Sequence, residues 1–201
     1  MTGFAGTSGL CVETPLLGSR EPRVRAVPAA SVSAGADVVG FAADAGLFLD
    51  EWQQDVVVGA MGLRRSGQWA ARHVGLLVPR QNGKGSILEA RELYGLFASP
   101  DERLIVHSAH KYDTSQKHFA RIMALVEGNP DLDRHIKRLS RTPGKESIEL
   151  KDGSLLQFKA RTISGSARGF TADLVVLDEA MYLPEEAVDA MLPTVSAVIC
   201  R

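Results

Sequence analysis

A short loop around a glycine-lysine pair constrains the fold of this 201-residue chain more than any other stretch. The loop has the sequence VPRQNGKGS at positions 78–86. It follows an apolar run, His73–Val78, which predicts a short buried strand, and it precedes Gly85–Phe97, where apolar side chains recur at helical spacing. A glycine-containing turn between a strand and a helix aims backbone N–H groups at one point, so the pattern predicts a phosphate-binding loop.

The loop departs at two positions from the usual G-x-x-x-x-G-K-[ST] pattern of such sites. Gly83 and Lys84 fill the glycine-lysine positions, and we expect Lys84 to reach the β- and γ-phosphates of a nucleotide. A valine stands where the first glycine belongs, and Gly85 stands where the magnesium-binding hydroxyl belongs. Either Ser86 supplies that hydroxyl in a shifted register, or water takes the ligand position. A polar surface turn is the alternative, but Arg80 favours the phosphate interpretation, because a guanidinium in the loop can stabilise charge on a γ-phosphate.

A second constraint is the apolar run Leu174–Leu177, which ends in two adjacent carboxylates, Asp178 and Glu179. Interpreted as a buried strand, the run places both carboxylates at its carboxyl end, where ligands bind in open α/β sheets. Asp178 suits a Mg²⁺ ligand, usually through water, and Glu179 suits a residue that orients and polarises an attacking water. The pair alone favours a solvated acidic turn at the end of a strand. Together with the loop upstream, it favours hydrolysis of a nucleotide.

Strand and helix patterns alternate along the chain. Asp50 predicts the cap of a helix over Glu51–Met61, and the Asp152-Gly153 pair predicts a hairpin turn. Further helices are predicted over Asp37–Ala45, over Asp113–Glu127 and from Pro184 onwards, and further strands over Arg103–His107, Ser147–Leu150 and Leu155–Lys159. The alternation predicts an α/β fold, a mostly parallel sheet flanked by helices, with a β-hairpin insertion. Residues 1–36, rich in Gly, Ser, Pro and Ala, predict an irregular arm ahead of a domain over residues 37–201.

Composition excludes some partners and compartments. The formal net charge is −1, so any contact with DNA must come from a local patch or from assembly. The two cysteines stand near opposite ends, which argues against a disulfide framework and fits a reducing compartment. The chain shows no signal peptide and no apolar run of the roughly 18 residues that a membrane span requires.

Several motifs together resemble one known family over about residues 45–201. The loop Pro79–Lys84 has proline and arginine where other families have glycine, and Leu49–Gln53 (LDEWQ) lies upstream of it. Gly165–Phe170 (GSARGF) precedes the acidic strand, and Leu192–Thr194 (LPT) follows the acidic pair. In these features the chain resembles the large terminase subunit of tailed bacteriophages, in its N-terminal ATPase domain of the HK97-like, actinophage type.

The resemblance implies a P-loop NTPase fold of the RecA-like (ASCE) type that uses ATP and Mg²⁺. Gln53 would then read the adenine edge, and Trp52 would pack nearby, although a core position suits Trp52 equally well. Arg168 would be the finger that reaches the ATP of a neighbouring subunit, with a solvated loop charge as the alternative. Asp178 and Ser86 would hold the metal, and Glu179, Arg168, Arg80 and Lys84 would be catalytic. The nucleotide-binding residues of the loop would be Pro79, Arg80, Gln81, Asn82, Gly83, Lys84, Gly85 and Ser86.

The same resemblance implies partners that this sequence does not itself display. These are double-stranded DNA, a portal, a small terminase subunit and other copies of the chain in a homo-oligomeric ring, all in the host cytoplasm and away from membranes. The motif that couples hydrolysis to movement and the nuclease domain would follow residue 201, so we expect an ATPase fragment.

Two other functions remain open from sequence. A helicase-like nucleic-acid translocase shares the upstream glutamine and the Asp-Glu pair, and a truncated module could bind nucleotide without turnover. A basic stretch before the hairpin suits either a solvated face or DNA phosphate: Arg134, Lys137, Arg138, Arg141 and Lys145. His107 and His110 lack an evident third metal ligand, and both are predicted to be structural.

Overall fold

A five-stranded sheet is the centre of the fold in the computed structural model, which describes residues 21–79, 81–160 and 172–183. The strands in that part of the chain are β1 (Val32–Ser33), β2 (Gly62–Leu63), β3 (Leu104–Ala109), β4 (Ile136–Ser140), β5 (Ser147–Leu150), β6 (Leu155–Ala160) and β7 (Leu174–Leu177). The helices are α1 (Gly35–Asp44), α2 (Glu51–Ala60), α3 (Lys84–Phe97), α4 (Tyr112–Glu127) and α5 (Pro130–Asp133), and a 3-10 turn covers Ala180–Tyr182. None of these helices is long and apolar enough to cross a bilayer.

The main sheet has the strand order β4-β5-β6-β3-β7, and β1 and β2 form a separate two-stranded ribbon. Strand β3 is parallel to both of its neighbours, β6 and β7, while β5 is antiparallel to β4 and β6. The predicted α/β fold with a mostly parallel sheet and flanking helices is therefore confirmed. The predicted hairpin exists, with Gly153 at φ 93°, and its strands β5 and β6 are part of the main sheet.

Two apolar clusters hold the helices in place. The first joins α3 and α4 to the sheet, and it includes the predicted apolar face of α4: Phe119, Ile122, Met123 and Val126. The second joins α1 and α2 to α3 through Val38, Val57, Ile87 and Ala90. Helix α3 therefore contributes to both clusters, with Ile87 and Ala90 in the half nearer Lys84 and with Leu93 and Leu96 in the other half.

The predicted buried strand over residues 73–78 is wrong. The segment has no strand pairing, and Val74, Leu76 and Leu77 expose 57%, 37% and 94% of their surface. An apolar run forms a strand only where a neighbour accepts its backbone hydrogen bonds. Among the described residues, no strand pairs with this segment, and the edge strand β7 pairs with β3 alone.

A fully buried polar network lies between α3, β3 and α4. Glu92 of α3 accepts hydrogen bonds from His107 Nδ1 of β3 and from His118 Nε2 of α4, each at 2.7 Å. The two imidazole rings stack with centroids 4.1 Å apart. Burial raises the pKa of Glu92, but the two histidines outweigh that effect and lower the pKa from 4.5 to about 2. The network therefore keeps a carboxylate ionised in the core and joins three elements of the fold.

We expect Glu92→Gln to destabilise the protein by about 3 kcal/mol at neutral pH, because it removes one partner of a buried charge network. A depressed folded pKa means that the ionised carboxylate contributes its full stability above about pH 4.5 and loses it as the pH falls towards about 2. The variant should therefore also lose stability less steeply than the wild type over that range. Urea unfolding across this pH window measures both effects.

Glu149→Gln is the matched control for this prediction. The Glu149 carboxylate pairs with Lys137 on the exposed side of the sheet, and exposed pairs contribute about 0–1 kcal/mol. Equal stability losses in the two variants would contradict a structural role for the buried network.

Candidate functional site

The structure brings the loop and the acidic pair together through one ion pair. Lys84 Nζ contacts Asp178 Oδ1 directly, across 94 residues of sequence. The Asp178 side chain is only 9% exposed, whereas the Lys84 side chain is 36% exposed. Two residues selected from separate motifs thus form one contact, as a shared phosphate-and-metal site requires.

The loop turns sharply into α3, which begins at Lys84 itself. Gly83 has φ 73°, in the left-handed region that glycine adopts at little cost, and Gln81 has φ 63°. Ser86 N donates to Gly83 O at 3.1 Å, so the first turn of the helix closes directly on the loop. The N–H groups of Lys84 and Gly85 precede that bond and lie at the loop end of the helix, where an anion is favoured.

The buried side chain of Gln53 connects the loop to the start of α2. Its Nε2 donates to Gly83 O at 2.9 Å, and its Oε1 accepts from Asp50 N at 2.7 Å at the start of α2. The residue is 4% exposed. An adenine edge would therefore meet the second Nε2 hydrogen and the second lone pair of Oε1, and base recognition by Gln53 stays a prediction.

Trp52 lies beside Gln53 and packs against the cluster of α1, α2 and α3. This position agrees with the core role that sequence left open for it. Contact between Trp52 and a base stays a prediction.

The acidic pair follows β7 where the chain leaves the sheet. Asp178 N donates to Ser108 O of β3 at 2.9 Å, which extends the pairing to the aspartate itself. Burial raises the pKa of Asp178, but hydrogen bonding and charge from Lys84 outweigh it, so the pKa lies below its usual value. The carboxylate is thus held ionised, as a metal ligand must be.

Glu179 adopts a backbone conformation that side chains rarely accept. Its φ is 53°, and its N–H donates to Asp178 Oδ1 at 2.8 Å. Among the described residues, Gln81 and Glu179 are the two non-glycine residues with positive φ, and both belong to the candidate site. Strained backbone concentrates at functional sites, where the surrounding structure enforces it.

The residues present fit a magnesium-nucleotide pair. Lys84 and the start of α3 offer positive charge and N–H donors, while Asp178 offers a carboxylate oxygen, the kind of ligand that Mg²⁺ prefers. Three predicted parts lie outside the described residues: Arg80, the segment 165–170 with Arg168, and the segment 192–194. The predicted helix from Pro184 lies there too.

Sequence reasoning missed a group of polar residues beneath the loop. Glu89 and Glu92 of α3 are buried, as is His118 of α4, and Arg121 reaches Glu89 with its Nε. The sequence does indicate that these charged residues are buried, because they share helical faces with apolar residues such as Ile87, Leu93 and Ile122. A charged residue on an apolar face requires a partner, and the identity of that partner depends on the tertiary fold.

Two solved structures share this fold. The HK97 bacteriophage large terminase superposes with a TM-score of 0.61 at 19% identity, over 83% of this chain and 36% of that one. The ATPase domain of the Thermus phage P74-26 large terminase also gives 0.61, at 21% identity, over 86% of this chain and 66% of that one. At the level of sequence, the chain matches no family model and no curated protein. The fold is therefore that of a terminase ATPase domain, and the chain spans about a third and two thirds of these two structures.

We expect Gln53→Ala to lower the free energy of unfolding by about 1–2 kcal/mol, because it removes the hydrogen bonds to Gly83 O and Asp50 N from a buried position. Chemical denaturation measures this loss. Gln54→Ala is the control, because Gln54 Nε2 bonds Leu49 O without touching the loop. Amide hydrogen exchange at residues 81–86 should increase in Gln53→Ala alone. Unchanged protection there would show that Gln53 does not hold the loop.

Proposed function

We propose that the chain is the ATP-hydrolysing domain of a phage DNA-packaging motor, and that its turnover powers DNA translocation into a capsid. The observation that carries the proposal is the Lys84–Asp178 ion pair, which joins the phosphate loop to the acidic strand end. The terminase names of the two structural neighbours support the packaging part of the proposal.

Lys84 and the loop would hold the nucleotide phosphates. In the structure the Lys84 ammonium is neutralised by Asp178, so each keeps its charge without a ligand. Phosphate binding would draw Lys84 from Asp178 towards the phosphate oxygens, and this exchange leaves the carboxylate available to a metal. The start of α3 adds N–H donors and the positive end of the helix dipole.

Asp178 would hold Mg²⁺ directly or through water, with the Ser86 hydroxyl or a further water as another ligand. Bound Mg²⁺ supplies neutralisation of phosphate charge during transfer. Glu179 would orient and polarise the attacking water. Its positive-φ backbone donates its N–H to Asp178 Oδ1, so the proposed metal ligand would also hold the backbone from which the Glu179 side chain extends.

Other parts of the proposed motor come from the resemblance. Arg80 would stabilise charge on the γ-phosphate, and Arg168 would act on the ATP of a neighbouring copy in a ring. Double-stranded DNA, the portal and the small subunit would be the partners of the assembled machine. If Arg168 acts between copies, the ATPase activity per chain should rise with protein concentration.

We expect Glu179→Gln to retain ATP affinity within about threefold while turnover falls roughly 100-fold or more, because the variant loses its general base but no phosphate contact. Calorimetric titration with ATP and a phosphate-release assay measure the two quantities. Glu149→Gln, on the far strand β5, should leave both unchanged. Turnover at the wild-type rate in Glu179→Gln would show that Glu179 is not the general base.

We expect Lys84→Ala to weaken ATP binding by roughly ten- to a hundredfold, because it deletes a charge-assisted phosphate contact. Equal ATP affinity in this variant and in the wild type would contradict nucleotide binding at the loop.

A further inference from the structure

Arg121 of α4 lies against the candidate phosphate loop, and no sequence motif predicts a role for it. A Cβ placed on Gly85 would lie 2.8 Å from Arg121 Nη2 and 3.6 Å from the guanidinium carbon. Gly85 is the second residue of α3 and stands where the usual pattern has serine or threonine. The guanidinium therefore occupies the space that the side chain of that residue would enter.

Buried groups hold the guanidinium in this position. Arg121 Nε donates to Glu89 Oε1, and the Glu89 side chain is 4% exposed. Arg121 Nη2 lies 3.3 Å from His118 Nδ1, and His118 is bonded to the buried Glu92. The Arg121 side chain itself remains 54% exposed. One edge of the guanidinium is thus anchored in the core, while a large part of the side chain remains open to solvent beside the loop.

The charges near the loop favour a polyanion. Lys84 pairs with Asp178 and Arg121 with Glu89, so each of these two cations already has a carboxylate partner in the unliganded site. If Mg²⁺ takes Asp178, Lys84 is released towards a phosphate chain, while Arg121 keeps its Nε bond to Glu89 and presents the rest of its guanidinium to the same chain. A guanidinium presents several N–H donors in one plane and matches phosphate oxygens better than an ammonium does.

We propose that Arg121 is a phosphate-binding residue of this site, and that its guanidinium contacts the β- and γ-phosphates from the place that the missing hydroxyl side chain would fill. The proposal rests on the proposed function, because it requires a nucleotide at the loop. A purely structural brace would explain the bond to Glu89. The observation that points beyond a brace is that the guanidinium lies beside the start of α3 on a side chain that is still 54% exposed.

Calorimetric titration of the full chain with ATP and with ADP tests the proposal. Arg121→Gln should weaken ATP binding roughly ten- to a hundredfold, as expected for loss of a charge-assisted hydrogen bond. The loss should be larger for ATP than for ADP, because ATP carries the additional γ-phosphate charge. Arg121→Lys should recover part of the affinity. Arg103→Gln is the matched control: its side chain is 58% exposed and paired with Asp152, and ATP affinity should not change.

A double-mutant cycle with Gly85→Ala tests the contact itself. Gly85 lies within a helix, so alanine introduces no backbone strain there, and the atoms nearest to its Cβ belong to the Arg121 guanidinium and the Glu89 carboxylate. The substitution should weaken ATP binding when Arg121 is present and have little further effect in Arg121→Gln. Additive losses would overturn the proposal, because independent effects indicate that the two residues do not share a role.

The outcomes separate this proposal from the proposed function. If the wild-type chain binds ATP and Arg121→Gln binds it within about twofold, Arg121 is a brace and the proposed function stands. If the wild-type chain binds neither ATP nor ADP, both proposals fail.

Glu89→Gln supplies a second measurement, because it loosens the anchor of Arg121 but keeps the guanidinium. Thermal unfolding of each variant monitors whether it folds. Glu89→Gln should therefore retain more ATP affinity than Arg121→Gln, and the reverse order would overturn the assignment.

Discussion

The contact between Lys84 and Asp178 is the interaction on which the rest of the site depends. It joins the first residue of α3 to the residue that follows β7, and so it connects a helix start with a strand end from distant parts of the sequence. Each charge would be costly to leave unpaired in this partly buried setting. The ion pair therefore keeps both groups charged and in position in the absence of a ligand. A ligand that replaces the contact needs both an anionic part for the lysine and a cationic part for the aspartate, and a magnesium-phosphate group has both.

Helix α3 connects this contact to the rest of the fold. Its first turn forms part of the loop, its middle carries Glu89 and Glu92, and its last turns contribute Leu93 and Leu96 to the core. The polar groups under the helix form a continuous series: Glu89, Arg121, His118, Glu92 and His107. The charge of His107 also acts on Asp178 and helps to lower its pKa. The series therefore extends from the first turns of α3 to β3, the strand that pairs with β7.

Local patterns predicted most of the fold, and long-range pairing decided the rest. The apolar spacing in α3 and α4 and the Asp152-Gly153 turn depend on neighbouring residues, so the sequence defines them. The loop and the acidic pair are likewise recognisable from short stretches of neighbouring residues. The run 73–78 has an equally clear apolar pattern, but a strand also requires a partner, and no pattern within the run specifies one. Arg121 and Glu89 were missed because their significance arises from a contact between two helices.

The geometry of the buried histidines argues against a metal site that their residue types alone would allow. Glu92, His107 and His118 have ligand atoms within 4.8 Å of one another, a set of side chains that commonly binds a transition metal. The imidazole rings, however, lie nearly parallel, at 13° to each other and with centroids 4.1 Å apart. Lone pairs in parallel planes do not converge on one ion at the roughly 2 Å distance of a metal–nitrogen bond. Two parallel N–H donors do match the two oxygens of one carboxylate, so the arrangement is a charged bridge that fixes α3 against β3 and α4. The bridge therefore helps to set the position of the candidate phosphate loop, because the loop continues directly into α3.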